Sequence, residues 1–343
     1  MPPSPSRLAC RGTVIGGLAA LLATSAAISP TRAAPPPDPG STWTIQGEND
    51  SVSTIPGGSD KYYTSGLRLG WTSGTDFVPA AAASLATAVW GDGITRISLD
   101  INQQIFTPGN TDLTHPNPRD RPVAAYLGAT FAVLQDTDNS RSTLALTLGI
   151  IGPSALGRQV QNGFHELIKD RINKGWGSQL PDEPAVEFLA ERTWRIGLVK
   201  AGGFEIDALP SLTAGVGTVR DYVQAGLLLR VGQGLESDFG VARIRPGISG
   251  GDAFTVPSGS VPWYVFAGVS GQAIARDAFL DGDMWQHSAR VERRSLLGEM
   301  EAGIAILWHG ARISYTQTWQ TASFKGQKGG LFNFGSLTAS VRF

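Results

Sequence analysis

The sequence has little cysteine, histidine and charge: one cysteine and four histidines among 343 residues, with 17% of residues charged. A single cysteine excludes an intramolecular disulfide and a cysteine-rich zinc site. The net charge of −1 provides no basic field of the kind that attracts nucleic acid, so no nucleic-acid partner is expected. Residues 41–343 contain no apolar run approaching the ~18 residues of a transmembrane helix, which excludes a helical membrane span from this part of the chain.

The N-terminal segment has the features of an export signal. Arg7 and Arg11 precede an apolar run over residues 13–28, and small residues around Ala33 and Ala34 offer a cleavage site. The alternative, a membrane anchor, is disfavoured because the run is shorter than the ~20 residues that span a bilayer. We predict a cleaved signal peptide over residues 1–34, a Pro-rich tether over 35–41 and a folded region over 42–343.

The folded region alternates apolar and polar residues with a period of two. Leu337, Ala339, Val341 and Phe343 share one face of the last segment, and serine, threonine and arginine residues occupy the other. This is the period of a β-strand. A soluble β-sandwich alternates in the same way, so periodicity alone does not identify the environment of the apolar face.

Three further features favour a transmembrane antiparallel β-barrel: the export signal, strands of about ten residues or more, and aromatic residues near strand ends. The aromatic residues expected in the girdles are Trp43, Trp71, Phe106, Trp263, Trp319, Phe332 and Phe343. Twelve strands are predicted near 42–50, 63–73, 94–106, 122–134, 141–151, 185–200, 203–217, 220–232, 261–276, 295–308, 311–321 and 332–343. An even number lets both termini face the periplasm. Two long periplasmic connections, 73–93 and 232–260, have no evident reason in the sequence.

A short extracellular helix is predicted after strand 5, with Ser154 as its N-cap. Leu156, Val160, Phe164, Leu167 and Ile168 recur at helical spacing and form the expected packing face. Gln161 and His165 lie one turn apart on the opposite face, which is expected to point away from the helix's packing surface. By itself this arrangement is also that of an ordinary surface histidine.

The outer ends of the first two strands carry polar groups close to this helix. Glu48, Asn49 and Asp50 end the first strand, and the segment 60–64, which includes Thr64, opens the second at the same rim. Grouped carboxylate and amide oxygens suit a hard cation such as Ca²⁺. A solvated loop with turn-forming Asn and Asp residues is the alternative explanation.

Several short motifs occur together in order along the chain. They are the segments 48–50 (Glu-Asn-Asp), 63–66 (Tyr-Thr-Ser-Gly), 120–122 (Asp-Arg-Pro), 152–165 with Gly152, Pro153, Gln161 and His165, 175–176 (Gly-Trp) and 183–184 (Glu-Pro). This ordered set resembles the outer-membrane lipid A 3′-O-deacylase family over residues 43–343.

The resemblance implies a twelve-stranded barrel in the bacterial outer membrane that removes an ester-linked acyl (acyloxyacyl) chain from lipid A, with lipopolysaccharide of the outer leaflet as its partner. It implies that His165 is the general base that activates water, with Gln161 beside it. Asn49 and Asp50 would hold a required Ca²⁺, and Thr64 would be a further active-site residue. An imidazole suits this role because it titrates near neutrality. A monomer is expected.

Two other functions fit parts of the sequence. A passive barrel, porin-like or structural, would conduct ions and be indifferent to chelators, but inward arginines such as Arg68, Arg312 and Arg342 leave little lumen. An outer-membrane phospholipase would need a serine nucleophile paired with a histidine, and neither His287 nor His309 has such a partner in sequence.

Overall fold

The computed structural model describes residues 38–53, 60–244, 252–255 and 261–343. The predicted signal peptide and residues 35–37 of the predicted tether lie outside these ranges. The strands are β1 (Thr42–Asn49), β2 (Tyr62–Thr72), β3 (Ile94–Thr107), β4 (Ala124–Asp136), β5 (Ser140–Ile151), β6 (Glu183–Trp194), β7 (Ile196–Ala201), β8 (Phe204–Gly217), β9 (Arg220–Gln233), β10 (Trp263–Asp277), β11 (Leu296–Trp308), β12 (Ala311–Gln320) and β13 (Phe332–Arg342). The α-helices are α1 (Ala80–Trp90), α2 (Gly157–Ile168) and α3 (Ala278–Asp281).

The strands close into one antiparallel barrel. Consecutive strands pair with each other except β6 and β7, and β13 pairs with β1 in a register that sets Thr42 opposite Arg342. The segments β6 and β7 both pair with β8 and are separated only by Arg195, so they form a single barrel strand. The prediction of twelve antiparallel strands with both termini at one end is confirmed. We call this the terminal end and the opposite one the helix end.

The wall shows the inverted burial of a membrane barrel. In β1, Thr44 and Gln46 are buried, whereas Ile45 is 64% exposed on the outer surface. A soluble sandwich would bury the apolar set instead. Outward apolar side chains are stable where the surroundings are acyl chains, because lipid replaces water as the solvent of that face. None of the helices in the described ranges is long and apolar enough to cross a membrane.

The described parts of the connection between β9 and β10, residues 234–244 and 252–255, lie in the barrel interior, and the long connection predicted here supplies them. Asp252 pairs with Arg68 at 2.8 Å and with Arg312 at 2.7 Å, both on the barrel wall. Asp238 pairs with Arg230 at 2.6 Å and with Arg312 at 3.3 Å. The described parts of this connection, residues 234–244 and 252–255, therefore form a plug that is bound to the wall by ion pairs.

Aromatic side chains fill the interior at the helix end. Phe106 stacks on Phe279 with ring centroids 4.2 Å apart, and Phe332 packs edge-on against Tyr62 at 5.7 Å. The prediction that Phe106 and Phe332 belong to lipid-facing girdles is therefore wrong: each is buried inside the barrel. Trp43 and Phe343 are exposed on the outer surface. Between the aromatic cluster and the plug, a cavity of about 70 Å³ is large enough only for a few water molecules.

Candidate functional site

Helix α2 lies against the outer wall of the barrel at the helix end. Val160 packs on a cluster that includes the wall residues Ile105 and Ala125 and the indole of Trp176. Gly157 permits this close approach, since a Cβ there would overlap the side chains of Ala125 and Trp176. The helix is held tightly enough to fix the side chains that it turns toward the wall.

The orientation of α2 is the reverse of the expected one. Phe164, Leu167 and Ile168 are exposed, and Gln161 and His165 are buried against the barrel. The expectation that the apolar residues form the packing face holds for Val160 but is wrong for Leu156, Phe164, Leu167 and Ile168. The medium around this wall is apolar, so those side chains are stable facing outward. Ser154 is not the N-cap: Leu156 holds that position, and the Ser154 hydroxyl donates to Asp182 at 2.7 Å.

His165 is held at both ring nitrogens. Its Nδ1 lies within hydrogen-bond distance of the Arg171 carbonyl oxygen, which requires a proton on Nδ1. Its Nε2 lies 3.3 Å from Asp60 Oδ2. The ring therefore presents Nε2 to a carboxylate, and a proton arriving at Nε2 is held between the two groups.

Gln161 fixes the other oxygen of the same carboxylate. Its Oε1 accepts hydrogen bonds from Trp176 Nε1 at 3.0 Å and Asn173 Nδ2 at 3.1 Å. Two donors on the oxygen define the direction of the amide, so Nε2 must point the other way, where it donates to Asp60 Oδ1 at 3.1 Å. Asp60 is thus bound by both α2 residues that sequence analysis identified.

Thr64 lies one step further from the histidine. It occupies a β-bulge between Tyr63 and Ser65, where the register of β2 against β3 shifts. Its hydroxyl lies 2.7 Å from that of Thr107, which donates to the Asp60 carbonyl oxygen at 2.8 Å. Asp60 has a positive φ of 62°, and this contact supports that backbone conformation.

Asp50 contacts the same segment from β1. Its Oδ2 accepts a hydrogen bond from the Lys61 backbone at 3.0 Å, while its Oδ1 is buried and has no hydrogen-bond partner among the residues that the structure describes. Burial raises the pKa of Asp50 to about 7 and also raises the pKa of Asp60. Asn49 is turned aside, with its Oδ1 accepting from the Ser51 backbone at 2.6 Å.

The site fits a cation in one respect. The orphaned Asp50 Oδ1 is the kind of oxygen that a hard cation binds. Within the described ranges, no group of three or more His, Cys, Asp or Glu side chains is arranged around a metal position. A cation here would draw its remaining ligands from amide, carbonyl, water or substrate oxygens.

The structure therefore connects four of the predicted residues through Asp60 and Lys61, to which no role was assigned, whereas Asn49 contacts Ser51 instead. The four are Asp50, Thr64, Gln161 and His165. No hydrogen bond joins His165 directly to Asn49, Asp50 or Thr64 among the described residues, and Asp60 with Lys61 links them. The sequence signal for Asp60 was its position at the start of the rim segment 60–64. Asn173 and Trp176, which orient Gln161, follow α2 in a loop whose path the sequence does not predict.

Comparison with known proteins supports this architecture. A family model described as "Outer membrane protein LpxR" matches residues 18–343. The solved structure of LpxR from Salmonella typhimurium superposes with a TM-score of 0.72 at 19% identity, covering 88% of this chain and 100% of that one. The β domain of the Bordetella autotransporter BrkA gives a TM-score of 0.41 at 11% identity, covering 89% of this chain and 98% of that one. A search of curated proteins finds no significant match.

Proposed function

Because the chain belongs to the LpxR family of outer membrane proteins, we propose that it is a lipid A deacylase of the 3′-O-deacylase type, which hydrolyses an ester-linked acyloxyacyl chain in the outer leaflet. The observation that carries this proposal is the His165–Asp60–Gln161 cluster, buried between the outer barrel wall and α2. The family supports an enzyme that acts on lipid A in the outer membrane. The side-chain geometry supports hydrolysis at this cluster.

The position of the cluster suits a membrane substrate. It lies outside the barrel and beside the exposed side chains of Phe164 and Leu167, so a lipid can reach it sideways from the bilayer. Among the described residues, the plug and the aromatic cluster leave an interior cavity of only about 70 Å³ between them. The same observation disfavours a passive, porin-like barrel.

His165 is the proposed general base. With Nδ1 protonated by its contact with the Arg171 carbonyl, the free lone pair is on Nε2. A water molecule that attacks the ester carbonyl gives its proton to Nε2, and the Asp60 carboxylate stabilises the imidazolium that forms. The proton then passes to the leaving alkoxide. A serine nucleophile, as in a phospholipase, is disfavoured because His165 contacts Asp60 and Arg171 and no serine in the described part of the chain.

We propose Ca²⁺ as the cofactor, with Asp50 as a direct ligand through Oδ1 and Asn49 as its neighbour in the site. A bound dication would supply positive charge for the oxyanion that develops on the carbonyl oxygen. Thr64 supports the backbone of Asp60 through Thr107 and is proposed as a positioning residue.

The proposal is tested by mass spectrometry of lipid A from cells that express the full chain. Wild type should release an acyloxyacyl unit in the presence of Ca²⁺. His165→Ala should reduce the rate by about 10²–10⁴-fold, the usual contribution of a general base. The matched control is His309→Ala, in the turn between β11 and β12 at the terminal end. Intact lipid A with folded wild type, or equal activity of the His165 variant, would contradict the proposal.

A further inference from the structure

Three arginine side chains line the small cavity inside the barrel, between the aromatic cluster and the plug. Arg121 comes from the loop before β4, Arg220 from the start of β9 and Arg243 from the plug. The cavity has a volume of about 70 Å³, and two carboxylates, Asp277 and Glu299, also line it. A buried guanidinium is stable only where another group offsets its charge and accepts its hydrogen bonds.

Two of the three arginines have carboxylate partners. Arg243 Nη1 lies 3.1 Å from a carboxylate oxygen of Glu299 and 3.5 Å from one of Glu301. Arg220 Nε lies 3.4 Å from Asp277 Oδ2. The protein itself therefore offsets the charges of Arg243 and Arg220.

Arg121 has no such partner. Its side chain is buried, with 4% of the residue exposed, and its guanidinium lies 4.5 Å from the centre of the Phe106 ring. Among the residues that the structure describes, its Nε has no hydrogen-bond partner and no carboxylate forms an ion pair with its guanidinium. An aromatic face attracts a cation, but it does not replace an acceptor for the N–H groups in the guanidinium plane.

The carboxylates nearest to Arg121 are engaged with other groups. Asp120 accepts hydrogen bonds from two backbone N–H groups, at 2.9 and 2.8 Å. Asp277 accepts from the Phe279 backbone at 3.0 Å and pairs with Arg220. Burial, together with the charge of Arg220, lowers the pKa of Arg121 to about 10, although Asp277 and Asp120 act to raise it. The guanidinium is therefore still charged at neutral pH.

We propose that the interior cavity binds a small monovalent anion, chloride, with the Arg121 guanidinium as its main ligand and Arg220 beside it. Guanidinium N–H groups form short, charge-assisted hydrogen bonds to anions. A volume of about 70 Å³ holds one such ion with water. It does not hold a lipid headgroup or a carboxylate with its acyl chain. The single charge of the ion matches the single unpaired guanidinium.

The anion joins two parts of the fold that make no direct pairing. Arg121 precedes β4 and Arg220 begins β9, and these strands are not neighbours in the barrel. An ion between the two side chains links opposite sides of the interior at the helix end. The proposal is independent of the proposed activity on lipid A, because no step of the hydrolysis involves this cavity.

Chloride binding is measured by the width of the ³⁵Cl NMR signal of the full chain in detergent, with sodium gluconate keeping the ionic strength constant. Exchange with a bound site broadens the signal, and we expect wild type to broaden it. Arg121→Gln should weaken the affinity about tenfold or more, the usual effect of losing a hydrogen bond to a charged group. Nitrate should compete with chloride, whereas divalent sulfate should not.

The matched control is Arg119→Gln, which removes an exposed arginine from the same loop, two residues before Arg121. It should leave the broadening at the wild-type value. Equal broadening by wild type and Arg121→Gln would overturn the proposal. So would a loss of the same size in the control, or equal competition by sulfate and nitrate, since each would assign the effect to exposed surface charge.

A second measurement needs no variant and applies even if Arg121→Gln does not fold. Crystals of the wild-type chain are soaked in sodium bromide, and the bromide ions are located by their anomalous scattering. We expect a peak in the interior cavity within hydrogen-bond distance of the Arg121 guanidinium. Bromide peaks on the protein surface only, with none beside Arg121, would contradict the proposal.

Discussion

The barrel interior and the candidate site on its outer wall both bury carboxylates, but with opposite consequences. Inside, Asp238 and Asp252 each face arginines. Burial alone would raise the pKa of both carboxyl groups, yet Arg230 and Arg312 lower that of Asp238, and Arg68 and Arg312 lower that of Asp252. At the outer site, burial raises the pKa of the carboxyls, because their partners are amides and an imidazole.

The difference separates a structural network from a reactive one. Permanently charged guanidinium groups keep the interior carboxylates ionised at every physiological pH, so the plug is bound by charges that do not change. Asp50 and Asp60 have no such partner and can exchange protons or take a cation near neutral pH, as catalytic groups must. Buried carboxylates in this protein are therefore distinguished by their partners.

The largest expected effect comes from breaking the interior network. Asp238→Asn leaves Arg230 and Arg312 buried with too little negative charge, and loss of one partner of a buried pair costs about 3–5 kcal/mol. We expect the free energy of unfolding in urea to fall by that amount, while the activity of the folded fraction is unchanged. Asp92→Asn, in an exposed loop, is the control. If Asp238→Asn lost activity but kept its full stability, the interior network would have a role in the reaction, which contradicts the prediction.

The barrel could be predicted from the sequence because its signal is local. Alternation of apolar and polar residues identifies a strand independently of the rest of the chain. The same alternation points Phe106 to the inner face of the wall, since its neighbour Ile105 points outward, and this contradicts the prediction that Phe106 belongs to a lipid-facing girdle. The direction of α2 could not be predicted in this way. An amphipathic helix can turn either face to the protein, and the medium outside decides which.

The candidate site could be predicted only in part because its contacts are non-local. Spacing put Gln161 and His165 on one face of a helix, and topology brought them to the rim where β1 ends. Their common partner Asp60 lies in a loop 101 residues before Gln161. The plug is a similar case, since Asp252 binds Arg68 and Arg312 from strands far away in sequence.

The second prediction tests the outer site in the same manner. Asp60→Asn keeps the shape of the side chain but removes the charge that stabilises protonated His165, so the rate of lipid A hydrolysis should fall about 10²–10³-fold. Stability at pH 7 should not fall. A carboxyl group whose pKa is raised in the folded state makes the folded protein less stable as the pH rises above the pKa of that group in the unfolded chain. The amide of the Asn variant does not ionise, so the variant avoids this loss of stability.

The distinction between a structural interior network and a reactive outer site would fail if Asp60→Asn lowered the free energy of unfolding as much as Asp238→Asn is expected to do. Asp112→Asn provides the matched control, since Asp112 is an exposed carboxylate 3.6 Å from Arg171 and outside the His165 cluster. Urea unfolding and mass spectrometry of lipid A on the same preparations separate the two effects.

The third prediction concerns Ca²⁺ binding and follows from the Asp50 pKa of about 7. The charged groups that face this carboxyl are Asp60, which raises its pKa, and Lys61, which lowers it. A protonated carboxyl does not bind a cation, so Ca²⁺ must displace the proton below pH 7. The apparent affinity should therefore rise about tenfold per pH unit up to pH 7 and level off above it.

Isothermal titration of the full chain in detergent at pH 5, 6, 7 and 8 measures this profile. Asp50→Asn should bind Ca²⁺ weakly and with little pH dependence, whereas Asp252→Asn should keep the wild-type profile if its variant folds, because that carboxyl has a lowered pKa and is ionised throughout this range. An affinity for Ca²⁺ that is equal at pH 5 and pH 8 would mean that the ion does not bind Asp50. The outer carboxylates would then differ from the interior ones in their pKa values, but they would not form a cation site.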